Sequence, residues 1–192
     1  MPDNNSSYTA DIISAALNVR FWSFSGTGRH QALERIAAIC KTNPLAVRAV
    51  LEGCSGPMDA IFRVMEDFAR KNTYFDDTMS VQDKIFEAIL IRLESLAPLK
   101  KEIKAILSKR SDLLERTPEI IRLGLRVGRA LRQQVRPDLG PPRALAYEAG
   151  LSGLFILTVR TWLDDESTDL SMTMKTLDQT LKRAKPLARF TT

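Results

Sequence analysis

Three consecutive acids, Asp164-Asp165-Glu166, follow Trp162 near the end of the chain and form its densest group of side chains capable of chemistry. Paired carboxylates can exchange protons with a substrate or bind a hard cation. Nothing else at that spacing supports either role, and carboxylates at the start of a helix are favoured by its dipole. We therefore interpret the group as a turn between two helices, with Ser167 or Asp169 capping the second.

Cysteine and histidine offer little other chemistry. Cys40, Cys54 and His30 are the only such residues, so a four-ligand zinc site would also need carboxylates. Cys40 and His30 could form a nucleophile–base pair, but the helical pattern places them at opposite ends of one short helix. The sequence thus predicts no catalytic constellation, no metal site and no cofactor, in a protein that is not an enzyme.

Composition indicates an ordinary globular protein of 192 residues with a net charge of +5. The polar N-terminus lacks the features of a signal or transit peptide, and the uncharged run 149–159 is far shorter than the roughly 20 residues of a spanning helix. We expect a cytoplasmic protein, in solution or peripheral to a membrane. The basic excess lies at 98–143, with 12 Lys/Arg against 5 Asp/Glu, whereas residues 1–71 hold 8 against 7.

Apolar residues recur at three- and four-residue steps, which predicts an all-α chain of about nine helices. Residues 1–71 read as a three-helix module of helix-turn-helix type followed by a fourth helix. Residues 72–192 read as a helical bundle for ligand binding and dimerisation. Among the helix starts, Asn43 suits an N-cap with Pro44 in the first turn, and Ser80 with Asp83 resembles a capping box.

The stretch ALERIAAICKTNPLAVRAVLEG resembles the DNA-binding motif of the TetR family, with Ile36-Ala37 at the family's Ile-Ala pair. The resemblance implies a TetR-like fold and makes Asn43 and Arg48 candidate DNA contacts. The chain departs from that family at Arg48, where an aromatic is usual, and at Leu51, where a Phe is usual. The fourth helix opens with Asp59 and no Lys, so the phosphate contacts that dominate DNA affinity are weakened.

A second resemblance extends to the C-terminal half. Arg92-Leu93-Glu94 with Ala97-Pro98, the Trp162 to Ser167 corner, and Thr176-Leu177-Asp178 are similar to the family of the ubiquinone-biosynthesis accessory protein, the ninth coenzyme-Q protein. That family has the TetR fold without its DNA-binding role, and binds lipids and isoprenoids to assist a hydroxylase. Here the corresponding stretch, RALRQQVRPDLGPPRALAYEAG, keeps little of the family's pattern beyond Asp138 and Tyr147.

The eighth helix, from about Arg143 to Leu163, is apolar on nearly every face, so every face needs a cover. We predict a homodimer through the last two helices, with Gly150 and Gly153 permitting close approach; a helix wrapped by its own chain is the alternative.

The seventh and eighth helices also offer an apolar interior. Its candidate lining residues for a lipid or isoprenoid ligand are Leu123, Val127, Leu131, Leu151, Phe155 and Val159, with Gly124 and Gly128 leaving space beside them. A close-packed core is the alternative interpretation. A stripe of Arg122, Arg126, Arg129, Gln133 and Arg136 follows one face of the seventh helix. It is either a solvated face or a contact for an anionic membrane or an acidic protein partner.

These features predict a non-catalytic lipid- or isoprenoid-binding accessory protein of the ubiquinone-biosynthesis type. The alternative is a TetR-family transcriptional regulator that binds DNA and a small apolar effector.

Overall fold

A computed structural model describes residues 4–108 and 110–188, with side chains described for residues 8–107 and 118–183. Over this range the chain forms nine α-helices and no strand, which confirms the all-helical prediction. The helices are α1 (Asn4–Asn18), α2 (Gly26–Ile39), α3 (Pro44–Leu51), α4 (Pro57–Asn72), α5 (Val81–Leu96), α6 (Lys100–Ser108), α7 (Arg110–Val135), α8 (Pro141–Asp164) and α9 (Ser171–Ala188). Two 3-10 turns, Phe21–Ser23 and Ala97–Leu99, lie between them.

Capping residues and prolines near the helix starts show how several of these helices begin. The Ser80 hydroxyl accepts from the Asp83 amide at 3.2 Å before α5, as expected of a capping box. The α7 helix runs from Arg110 and contains Pro118, although proline is most common in the first turn of a helix. A proline inside a helix removes one backbone hydrogen bond, and the remaining turns here carry the helix through it. The α9 helix begins at Ser171, after Leu170 in a left-handed conformation.

The first compact unit contains residues 1–68 and 95–115. Within it α1 packs against α2, α3 and α6, and buries Ile12 and Ile13 completely. The Glu102 carboxylate on α6 accepts hydrogen bonds from Ser14 at 2.8 Å and Asn18 at 3.0 Å on α1. This polar clamp and the apolar contacts fix α1, which in turn supports the α2–α3 pair.

The second compact unit contains residues 69–94 and 116–192. Within it α8 packs along α9, and Trp162 and Leu177 are almost completely buried. The α4, α5 and α7 helices each have residues in both units. No helix in the described part of the chain is both long enough and apolar enough to cross a membrane.

Candidate nucleic-acid interface and helical body

A four-residue turn, Cys40 to Asn43, joins α2 to α3 as in a helix-turn-helix. Lys41 takes a left-handed conformation with φ of 51°, and the Thr42 amide donates to the Ala37 carbonyl at 2.9 Å. The Asn43 side-chain oxygen then accepts from the Ala46 amide at 2.8 Å, with Pro44 in the first turn. The predicted N-cap is therefore confirmed, and it sets where α3 begins.

The two faces of α3 have opposite environments. Val47 and Leu51 are buried on one face. Leu45, Arg48 and Ala49 are exposed on the other face. Leu45 lies at a different point of the 3.6-residue turn from Val47 and Leu51. Arg48 is thus presented outward, where a contact with DNA would need it.

Arg63 of α4 holds the C-terminal end of α3. Its guanidinium donates to the carbonyl oxygens of Glu52 at 2.8 Å and Val50 at 3.3 Å. Basic groups at a helix C-terminus satisfy the last carbonyls and oppose the negative end of the dipole. The chain then reverses at Gly53, whose φ of +82° favours glycine. The α3 helix is therefore fixed at both ends.

An acid occupies the start of α4. The Asp59 carboxylate accepts from the Ser55 amide at 3.1 Å, in the region where the TetR resemblance expects a lysine. A carboxylate at a helix N-terminus is locally favourable, but it repels a phosphate approaching that end. Elsewhere the module does expose cations: Arg35, Lys41 and Arg48 are all exposed. The exposed positive charge of Arg35, Lys41 and Arg48 therefore lies on α2, the turn and α3.

Neither cysteine has the features of a nucleophile. Burial raises the pKa of the Cys40 thiol, and the nearby Asp11 carboxylate raises it further. Burial also raises the pKa of the Cys54 thiol, with Arg63 acting in the opposite direction. His30 contacts Glu34 at 3.4 Å within α2, ten positions before Cys40 and about 15 Å away along a helix axis. The structure does not bring His30 and Cys40 together, and among the described residues no three potential metal ligands cluster.

The acidic corner after α8 caps the following helix. Asp165 is almost completely buried, and its carboxylate accepts from the Thr173 amide at 2.8 Å and the Thr173 hydroxyl at 2.7 Å. The Ser167 hydroxyl and amide donate to its other oxygen. The Ser171 amide donates to both Ser167 Oγ and Asp169 at 3.1 Å, so the two predicted caps act together. The hydrogen bond from the Ser167 hydroxyl, followed by those from Thr173, holds the pKa of Asp165 well below its usual range despite burial.

The α7 and α8 helices meet at the two glycines of α7. A Cβ atom on Gly128 would lie 2.2 Å from the Glu148 carbonyl oxygen and 2.3 Å from Ser152 Oγ. One on Gly124 would lie 2.8 Å from the Ile156 side chain. The interpretation that these glycines leave room for a ligand was therefore wrong, because α8 fills that space.

The six candidate pocket residues have different environments. Val127 and Leu131 have no exposed surface, Leu151 and Phe155 are buried, and Leu123 and Val159 are half-buried. In this conformation a ligand has no access to Val127 or Leu131. A ligand site over these residues stays a prediction that requires movement of a helix or side chain.

The members of the basic stripe of α7 differ in exposure. Arg122, Arg126, Arg129 and Gln133 are exposed, and Arg136 is half-buried and forms a two-point ion pair with Asp138 at 2.9 and 3.0 Å. A further arginine, Arg132, was not part of the predicted stripe. It is 14% exposed and donates at 2.8 Å to Glu148, which is 9% exposed. This buried ion pair joins α7 to α8, and Arg129 lies 3.6 Å from the same carboxylate.

The sequence analysis did not predict the structural roles of three residues: Arg63, Asp165 and Glu148. Asp165 was recognised only as one member of an acidic turn, and its partner Thr173 lies eight residues later. Glu148 has a signal in the sequence, since it is the one charge between residues 144 and 159 of an apolar helix. A charge in such a place is usually paired, because unpaired burial is costly.

Comparisons with known proteins agree with this architecture. No family model matches the chain, and no curated protein matches it. Among solved structures, the crystal structure of a TetR transcriptional regulator from Nitrosomonas europaea ATCC 19718 is similar, with a TM-score of 0.63 and 20% sequence identity. The match covers 95% of this chain and 99% of that one. At this identity the likeness concerns the fold, and the chain has the TetR-like fold that the sequence predicted.

Proposed function

We propose that this protein is a transcriptional regulator of the TetR type, in which α2 and α3 bind duplex DNA. One observation carries the proposal: α3 is fixed at both ends, by the Asn43 cap and by Arg63, and it presents Arg48 outward. In a helix-turn-helix, the second helix enters the major groove, so this helix, here α3, must be held in place and face outward. The similar Nitrosomonas europaea protein, described as a transcriptional regulator, supports the same function.

A homodimer is part of this proposal, since a two-fold protein matches a two-fold operator. Its interface consists of the last two helices, α8 and α9, and Leu145 and Leu157 are exposed on the outer face of α8. Gly150 and Gly153 lie on the same helix with open space beside them. The variant Leu157→Arg should convert a dimer into a monomer in sedimentation equilibrium. Leu125→Arg on α7, where the native leucine is similarly exposed, is the matched control and should leave the dimer intact.

The experiment for DNA binding is selection from a random-sequence duplex library with the full-length protein. The proposal expects enrichment of a sequence with two-fold symmetry, bound with a stoichiometry of two chains per duplex. Recovery of an unenriched pool after repeated rounds contradicts it. The variant Arg48→Ala controls for binding by other surfaces and should enrich the same sequence less strongly than the wild-type protein.

A second candidate is the lipid- or isoprenoid-binding accessory role of the ubiquinone-biosynthesis type. The observation that favours it is Asp59, which places a carboxylate where phosphate contact is expected of a DNA-binding relative. Its ligand would enter near the half-buried Leu123 and Val159. Organic extraction of the purified protein, followed by mass spectrometry, tests it. A stoichiometric isoprenoid or lipid supports this candidate, and a lipid-free extract together with DNA enrichment removes it.

A further inference from the structure

The outward face of α3 combines an apolar side chain, a cation and a methyl group. Leu45 is 77% exposed, and Arg48 and Ala49 follow it at three- and four-residue steps. A single exposed leucine is ordinary on a protein surface, so its place in the fold decides its meaning. Here it is the second residue of α3, the helix whose inward face already reaches the core through Val47 and Leu51.

Residues near the N-terminus of a recognition helix contact base edges in the major groove. Thymine alone presents a methyl group there, and apolar side chains contact it. Guanine presents two acceptors, which arginine reads with two hydrogen bonds. Leu45 and Arg48 therefore match two different bases by the chemistry of their side chains.

We propose that Leu45 contacts a thymine methyl and Arg48 a guanine, on neighbouring base pairs of each operator half-site; this rests on the proposed function. Three residues of helix rise by about 4.5 Å, close to the roughly 3.4 Å step of duplex DNA. Asn43 is a weaker reader of bases, because its side-chain oxygen already accepts from the Ala46 amide. An asparagine needs that oxygen to pair with adenine at two points.

The exposed charge on α2, the turn and α3 is weakly positive. Residues 26–52 carry four Arg/Lys and two Glu, and all six are exposed. Arg29 stacks on the Phe21 ring at 4.8 Å, which leaves Arg35 and Lys41 on α2 and the turn to attract phosphate. Phosphate contacts position a protein on DNA, whereas base contacts supply specificity. This division assigns specificity to Leu45 and Arg48.

The test uses a duplex enriched from the random library, resynthesised with deoxyuridine in place of thymine one position at a time. This exchange removes the methyl and keeps base pairing. At the position read by Leu45, the Kd of the wild-type protein should rise about fourfold, since burying a methyl-sized group contributes about 0.8 kcal/mol. Leu45→Ala should bind the two duplexes equally, while Ile39→Ala, which truncates another exposed apolar side chain, should keep the wild-type preference.

A second arm replaces guanine with 7-deazaguanine, which lacks the N7 acceptor. Wild type should lose affinity at a position next to the sensitive thymine, and Arg48→Ala should show no difference there. If no duplex is enriched at all, the proposed function and this inference both fail. If a duplex is enriched but deoxyuridine changes nothing, or Leu45→Ala keeps the preference, the regulator stands and the reading by Leu45 is wrong.

Discussion

The guanidinium of Arg63 donates to the carbonyl oxygen of Glu52 at 2.8 Å, which ties the end of α3 to α4. Replacing Arg63 with Ala should lower the free energy of unfolding by about 1 kcal/mol, because the bond is charged but the arginine is exposed. The same change should speed amide exchange of residues 50–52. Urea unfolding and hydrogen exchange measure the two effects.

Arg35→Ala is the control for loss of an exposed arginine in the same unit, and it should leave stability and exchange near wild type. If the amides of residues 50–52 exchange equally fast in the Arg63→Ala and Arg35→Ala variants, the end of α3 does not depend on the hydrogen bonds of Arg63.

Gly128 permits the close approach of α7 and α8. Gly128→Ala should destabilise the protein by about 3 kcal/mol or more, because the new Cβ would meet backbone atoms of Glu148 that cannot rotate away. Gly124→Ala is the graded control, since its Cβ meets the end of the flexible Ile156 side chain, and its loss should be smaller. Thermal unfolding ranks the two variants, and a Gly128→Ala protein as stable as wild type contradicts this packing.

Removing only one partner of the buried ion pair between Arg132 and Glu148 should lower the free energy of unfolding. Arg132→Met leaves the Glu148 carboxylate buried with only the more distant Arg129, and should cost about 3 kcal/mol. Arg129→Met, at a position 65% exposed, should cost little. In a double-mutant cycle, Glu148→Gln should remove most of the penalty of Arg132→Met. Additive effects would show that the two side chains are not coupled.

Because of Asp165, the free energy of unfolding should fall in acid. Its pKa is lower in the folded chain than the ordinary value of about 3.9, so its contribution is present above that value and is lost as the pH falls below it. At neutral pH, Asp165→Asn should cost about 2–4 kcal/mol, because the new amide faces the donors of Thr173 and Ser167. The variant should also lose part of the acid dependence. Glu166→Gln, an exposed neighbour, is the control and should match wild type in unfolding at pH 7 and pH 3.

Helix caps could be predicted from the sequence, because the two residues of each cap lie within one helical turn of each other. The Asn43 cap and the Ser80–Asp83 pair are of this kind. The apolar periodicity also sufficed for the all-helical class. Each of these depends on neighbours no more than four residues apart.

Roles that depend on tertiary packing could not be predicted. From the sequence, Gly128 was interpreted as space for a ligand, whereas in the structure α8 packs against it. Asp165 was interpreted as one of three acids in a turn, whereas in the structure it accepts a hydrogen bond from Thr173, eight residues later. For the candidate interface, the pattern located α3 but not its orientation. The pattern alone did not show that Leu45 faces outward.

Binding to duplex DNA at two salt concentrations tests the central claim most directly. Fluorescence anisotropy with a labelled duplex of about 30 base pairs should give measurable affinity at about 50 mM salt and a steep loss by about 200 mM, as released counterions require. The variant Lys41→Ala should bind more weakly at both concentrations and reduce the salt slope by about one. Binding to duplex DNA that is absent at the lower salt, or is unchanged between the two, would contradict the account.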